Sequence, residues 1–278
     1  MDIKTIHHEI QKIDTLPTIP KTFRKMLSIL ENSKASLSEI GSYVSNDPVL
    51  TSRVLKIVNS AVYGFPGRIS SINQAMLLLG LNVVRGLLLG ISVYEAMEKT
   101  MAGLWDHSLG TAVASRIIAK KKNIEEPEEV AVAALLHDIG KVILSLKFSS
   151  EYQSAMDIAA QEKTFIFNAE EHIFGVTHAK AGAWIAAKWN FPNNLIEIIE
   201  YHNKPEFSRS VPLHTAIVHF ADILVRARGI GFAGDNFVPH INPLAWERLN
   251  LSEAEIKEVF KQLEDALYET ERLLHSDG

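Results

Sequence analysis

Asp47-Pro48-Val49-Leu50-Thr51-Ser52-Arg53-Val54-Leu55-Lys56-Ile57-Val58 carries several helix signals at once. An Asp able to accept from the first free backbone N–H groups precedes a Pro, whose fixed φ suits the first helical position. Val49, Leu50, Val54, Leu55 and Val58 then recur at helical spacing, so one face is apolar. The same grammar extends in both directions. Upstream, Leu16-Pro17-Thr18-Ile19-Pro20 reads as a rigid entry, because each Pro fixes its φ and biases the preceding residue away from α. Phe23, Met26, Leu27 and Leu30 form the next apolar face, and Ser36 with Glu39 makes a capping-box pattern before Ile40 and Val44. Downstream, Tyr63-Gly64-Phe65-Pro66-Gly67 is a turn. Ser71 with Gln74 opens a helix expected to stop near Gly80, after which Asn82 caps a long apolar helix reaching toward Met97. Further helices are predicted near 105–122, 127–136, 151–161, 168–175, 178–190, 192–203, 212–228 and 252–274, the last opening on a Ser252/Glu255 capping box. No run alternates at period two. The expected fold class is all-α.

Composition narrows the chemistry. The 278 residues are 47% hydrophobic and 22% charged, close to the average for soluble globular proteins, which argues against disorder and fibrous repeats. A chain this long buries roughly 75% of the surface its unfolded form exposes. Cys is absent, which removes disulfides, thiolate catalysis and Cys-based metal sites. Any metal must sit on His and carboxylate. Residues 1–15 are polar, with two His, and do not resemble a signal peptide. The apolar stretch 75–93 is interrupted by Asn82 and Arg85, which argues against a membrane span. The expected location is cytoplasmic. Residues 1–100 hold 11 Lys/Arg against 8 Asp/Glu, while the whole chain carries −5. That imbalance is too small to signal nucleic-acid binding. The charge balance changes sign near 99–103, where a boundary is expected: residues 1–98 as an N-terminal helical subdomain, 99–278 as the subdomain bearing the chemistry.

That chemistry centres on Ala133-Ala134-Leu135-Leu136-His137-Asp138-Ile139-Gly140-Lys141. An apolar helix delivers a His-Asp pair and is expected to break at Gly140. Adjacent residues on a regular helix point about 100° apart, so the pair converges on one ion most easily at a helix end. A polar helix terminus explains a lone His-Asp pair equally well. Its company is what matters. His107 lies on an earlier amphipathic helix, His178 and His202 stand at the start and end of later ones, and Asp222 sits inside an apolar run from Ile217 to Val225. A carboxylate flanked by Phe220, Ala221, Ile223 and Leu224 needs a partner, because an unpaired buried carboxylate is costly. A hydrogen-bond network is one such partner; a metal is the other. Imidazoles with carboxylates suit Fe, Mn, Zn, Co or Ni, and a carboxylate bridging two metals roughly 3.5–4 Å apart is a familiar hydrolytic arrangement.

His107, His137-Asp138 and Asp222, in that order, resemble the H…HD…D pattern of the HD phosphohydrolase superfamily. The upstream motifs are more specific. The Pro17/Pro20 entry, Asn46-Asp47-Pro48-Val49-Leu50, Leu55-Lys56-Ile57-Val58-Asn59-Ser60-Ala61-Val62-Tyr63-Gly64, Ile69-Ser70-Ser71-Ile72 and Gly80-Leu81 before Val83-Val84-Arg85 resemble the HDOD family. So do His178-Ala179-Lys180-Ala181-Gly182-Ala183, Trp189-Asn190-Phe191-Pro192 and His202. The resemblance runs from about residue 12 to 230. It implies a helical domain, an N-terminal bundle packed against an HD-type bundle, acting in bacterial signal transduction.

Many HDOD members lack metal ligands; this sequence keeps them. By similarity to the related HD-GYP phosphodiesterases of cyclic di-GMP, His107, His137, Asp138, His178, His202 and Asp222 are the implied ligands of divalent metal ions, two in number, Fe or Mn first and Zn, Ni or Co as alternatives. Lys141 matches the Asp-x-x-Lys of that relative, so Asp138 and Lys141 are the implied catalytic residues, the ammonium neutralising a phosphate oxygen. Asn203 stands where a second adjacent His is common, and Lys204-Pro205-Glu206-Phe207-Ser208 contains no Gly-Tyr-Pro. The leading expectation is therefore a regulatory protein with a retained metal site and a signalling protein as partner. The alternative is a metal-dependent phosphohydrolase or phosphodiesterase acting on a nucleotide or cyclic dinucleotide. Neither membrane nor direct nucleic-acid binding is expected. His219, one helical turn before Asp222, is a lesser candidate for the site, while His7, His8, His172, His240 and His275 read as surface residues.

Overall fold

The computed structural model describes residues 2–13, 40, 41, 44–60, 63, 65 and 67–274. The Pro-rich entry at 16–20, the apolar face at 23–30, the Ser36/Glu39 pattern and His275 lie outside the described residues, and the 63–67 turn is described only in part. Every regular element among the described residues is helical. In chain order they are α1 (Ile3–Gln11), α2 (Pro48–Val58), α3 (Ile72–Thr100), α4 (Leu104–Lys121), α5 (Pro127–Leu136), α6 (Ile139–Lys147) and α7 (Ser149–Gln161). There follow α8 (Ile166–Phe174), α9 (His178–Lys188), α10 (Asn193–Tyr201), a 3-10 turn (Pro205–Phe207), α11 (Pro212–Ala227), α12 (Pro243–Leu249) and α13 (Glu253–Leu274).

The caps expected at Asp47, Ser71 and Ser252/Glu255 are in place, whereas Asn82 lies inside α3 and bonds to Glu129. Asp47 accepts from the backbone N–H groups of Val49 and Leu50, both at 3.0 Å, with Pro48 at the first helical position. Ser252 and Glu255 bond reciprocally, Ser252 N–H to Glu255 Oε2 at 2.8 Å and Glu255 N–H to Ser252 Oγ at 3.3 Å. Each satisfies donors that a helix start otherwise leaves free. Gly80, with φ 77° and ψ 168°, breaks the run Ile72–Thr100 into two helical pieces. An L side chain rarely adopts that backbone, which is why the interruption falls on a glycine.

At the centre lies α5, whose residues from Val130 to Leu136 are all buried. Around it pack α3, α4, α10 and α11. The apolar length of α3 is spent on this core: its best 18-residue window has a mean hydropathy of 2.0, enough by length and composition to cross a membrane, but is 72% buried inside the protein. Outer helices complete the bundle. Ile6 and Ile10 bury the inner face of α1, which rests on α9 through a His7–Trp184 edge-to-face contact with centroids 4.7 Å apart. Helix α13 lies along α4 and reaches α2.

Two differences from the sequence expectation matter for the site. The break falls on His137 and Asp138, between α5 and α6, and Gly140 sits inside α6. Its missing side chain serves a different purpose: a Cβ there would collide with the backbone carbonyl of His178. Helix α6 itself, along with α1 and α12, is absent from the elements expected by periodicity.

Candidate metal centre

Five chain segments deliver the cluster. His107 comes from the first turn of α4, His137 and Asp138 from the α5–α6 joint, and His178 is the first residue of α9. His202 directly follows α10, and Asp222 projects from the middle of α11. The close approach at Gly140 lets the start of α9 settle against α6, so His178 meets Asp138.

The two oxygens of Asp138 face different neighbours. Its Oδ1 lies 3.2 Å from His178 Nε2 and 3.8 Å from His202 Nε2. Its Oδ2 lies 3.3 Å from His137 Nε2 and 3.5 Å from His107 Nε2, while Asp222 Oδ1 is 3.1 Å from His107 Nε2. Two groups of ligand atoms, His107/His137/Asp138 and Asp138/His178/His202, are each gathered within 4.8 Å. The six residues are 0–4% exposed.

Proton positions follow from what the far ring nitrogens touch. His137 Nδ1 is 2.6 Å from the Ala134 carbonyl, His202 Nδ1 is 2.8 Å from the Ile199 carbonyl, and His178 Nδ1 is 2.6 Å from Glu170 Oε2. Those neighbours only accept, so each Nδ1 carries a proton, and each ring in its neutral form turns an Nε2 lone pair inward. Apart from Lys141 at Asp138 Oδ2 and the Asn203 amide at His178 and His202, few donors among the described residues reach the inward atoms. His107 Nε2, His137 Nε2, Asp138 Oδ1 and Asp222 Oδ1 are buried and have no hydrogen-bond partner. Buried polar groups are normally bonded; lone pairs converging across 3.1–3.8 Å make a site for a cation. The donor chemistry, neutral imidazole with carboxylate, fits a divalent first-row metal.

The electrostatics favour the neutral form at His107 and His202 but not at His178. Burial holds the pKa values of His107 and His202 down, so both rings stay neutral. Burial alone would raise Asp138, but His137 and Lys141 outweigh it and hold the carboxyl well below the usual range. Asp222 is likewise held low, its burial outweighed by His107. Burial disfavours the charged form of His178 as well; the Glu170 carboxylate reverses the balance and raises its pKa.

Lys141 is buried, donating to Asp138 Oδ2 at 2.6 Å and to the Ala233 carbonyl at 2.8 Å. Asn203 reaches the cluster too, its amide nitrogen 3.1 Å from His178 Nε2 and 2.8 Å from His202 Nε2. Turned end for end, the same amide puts an oxygen there, an acceptor suited to a cation. His219 is not part of the cluster. Its Nδ1 meets the His202 carbonyl at 2.8 Å and its Nε2 accepts from Asn242 N–H at 3.0 Å, so backbone groups engage both nitrogens. Sequence reasoning missed Glu170, Tyr152 and the Ala233 carbonyl. The one signal for Glu170 is a carboxylate in an apolar helix just upstream of His178.

The HDOD domain model matches residues 16–205. This chain belongs to the HDOD family. An HDOD domain protein from Geobacter sulfurreducens shares the fold with a TM-score of 0.72 at 26% identity, covering 98% of this chain and 99% of that one. A Treponema pallidum protein is 26% identical over 220 residues, 77% of this chain and 43% of that protein. Ribonuclease Y of Mycoplasmoides gallisepticum is 32% identical over 133 residues, 47% of this chain and 20% of the enzyme. This HDOD chain thus spans less than half the length of either curated relative.

Proposed function

We propose that this HDOD protein is a cytoplasmic bacterial signal-transduction module whose His/Asp cluster holds two divalent cations, Fe or Mn in preference to Zn, Ni or Co. The carrying observation is the convergence of buried ligand atoms in two groups, His107/His137/Asp138 and Asp138/His178/His202, each within 4.8 Å. Asp138 would be the carboxylate shared by the two positions. His107, His137 and Asp222 complete one position, and His178 and His202 the other, with Asn203 completing it through its amide oxygen. When bound, such cations supply Lewis acidity. A regulatory role is favoured because the cluster is closed to solvent and because 204–208 lacks Gly-Tyr-Pro. The output is a contact with a signalling protein.

A metal-dependent phosphohydrolase or phosphodiesterase, acting on a nucleotide or cyclic dinucleotide, is the second reading. Lys141 favours it, as an ammonium beside the shared carboxylate able to neutralise charge developing on a phosphate oxygen. The partial similarity to a ribonuclease favours it as well.

The test is elemental analysis of protein purified without added metal, joined to a hydrolysis screen of nucleotides and cyclic dinucleotides. Bound metal with no turnover is expected. Turnover that falls by about 10² in Lys141→Ala, the scale for losing one charge-stabilising donor, while metal content holds would select the second reading. Protein that neither retains nor takes up metal would sink both.

A further inference from the structure

The two halves of the centre are built unequally, and a buried acid behind His178 makes the difference. Glu170, on α8, is 0% exposed. Its Oε2 accepts from the His178 backbone N–H at 2.8 Å and faces His178 Nδ1 at 2.6 Å. Its Oε1 accepts from the Tyr152 hydroxyl at 3.0 Å. One carboxylate therefore anchors both the backbone and the ring of the same residue, and Tyr152 fixes the carboxylate in turn. His137 and His202 rest on neutral carbonyls, and His107 Nδ1 has no partner.

We infer that Glu170 is a positioning residue that makes the His178–His202 half of the centre the tighter cation subsite, the one filled first. The inference rests on the metal reading above and adds an order of filling to it. An imidazole whose outer N–H is held by a carboxylate is fixed in tautomer and angle and is a more basic donor. Glu170 also adds a negative charge behind that half, beyond the carboxylate of Asp138. On the opposite side the Lys141 ammonium, 2.6 Å from Asp138 Oδ2, competes with a cation for the same oxygen.

The substitution Glu170→Gln tests this with little change of shape. A Gln oxygen can still accept from His178, and its amide can turn to the Tyr152 oxygen, so the charge is removed and the packing kept. The probe is Mn²⁺, added to chelator-stripped full-length protein and followed by calorimetry. Wild type is expected to bind in two phases. In Glu170→Gln the tighter phase should weaken about 10- to 100-fold, the usual scale for loss of an outer-shell partner, with the weaker phase little changed. Tyr152→Phe, which keeps the carboxylate, should weaken the tighter phase less. Equal weakening of both phases would mean a merely structural role and would overturn the inference. So would an unchanged tighter phase in Glu170→Gln, which leaves the metal reading standing. Wild type that binds no Mn²⁺ or Fe²⁺ overturns the metal reading, and this inference with it. Should Glu170→Gln fail to fold, the Tyr152→Phe comparison decides alone: an unaltered tighter phase there counts against Glu170.

Discussion

Asp235 and Asp138 are both buried carboxylates in the helical half downstream of residue 100, and their surroundings are opposite. Asp235 is met by donors from every side. Its Oδ2 accepts from the Ile166 N–H at 2.8 Å and its Oδ1 from the Phe237 N–H at 2.9 Å, and the Arg226 guanidinium closes on it. Asp138 has one donor, Lys141, and is otherwise ringed by imidazole lone pairs. A carboxylate kept for architecture comes with its protons supplied by neighbours. One kept to hold a cation sits among other acceptors, because the ion has to supply the positive charge.

Four substitutions sharpen or break this contrast. The largest effect is expected from Asp138→Ala, which removes the carboxylate common to the two groups of ligand atoms; metal per chain should fall to background by elemental analysis. Metal retained at the wild-type level would show that Asp138 is not the shared ligand. Next comes Asp235→Ala, which removes the carboxylate salt-bridged to the half-buried Arg226 and leaves that guanidinium to the influence of Asp222. Breaking a buried pair costs about 3–5 kcal/mol, so urea unfolding in chelator should shift by that amount while the folded fraction still takes up metal. Loss of metal without loss of stability would erase the distinction between the two carboxylates.

Lys141→Met should cost less. It removes two buried hydrogen bonds, to Asp138 and to the Ala233 carbonyl, worth about 1–3 kcal/mol, and it should leave metal in place because an ammonium donates no lone pair. A metal-free Lys141→Met protein would make Lys141 part of the holding machinery.

The smallest effect is a pH dependence at Glu197, a third carboxylate of the architectural kind. Its Oε1 accepts from Ser208 Oγ at 2.7 Å and from the N–H groups of Arg209, Ser210 and Val211 at 2.6, 2.7 and 3.3 Å. Burial works upward on its pKa, but the bonds from Ser208 and Ser210 outweigh it and hold it at about 2. Depressed below an unfolded value of about 4.3, this group adds stability that is complete above about pH 4.3 and drains away as pH falls toward 2. Glu197→Gln should therefore narrow the gap between urea midpoints measured at about pH 6 and about pH 3. The same gap in both proteins would mean that Glu197 does not sense acid.

Much of the fold is legible along the chain, and the reasons are local. The helix over Pro127–Leu136 is readable because Pro127 starts it, acidic residues line its first turn and apolar residues fill the rest. Asp47-Pro48 and the Ser252/Glu255 box mark their helix starts through contacts three residues apart or fewer. Helix α6 escaped the same reading. Gly140 looks like a stop signal, and nothing nearby in sequence reveals that it is there to admit the His178 carbonyl.

The candidate centre divides in the same way. Residue type makes His107, His137, Asp138, His178, His202 and Asp222 apt ligands, and the resemblance of their order to the HD pattern singles them out from the other His and Asp residues. Only the tertiary structure decided which oxygen of Asp138 faces which imidazole, that Glu170 stands behind His178, that the Asn203 amide lies across two rings, and that His219 is occupied by backbone. Those relations join α4, α6, α8, α9, α10 and α11 across long stretches of chain. Ligand type is a property of the side chain and is written in the sequence; the direction of a lone pair depends on what lies behind the ring, and that is set by packing.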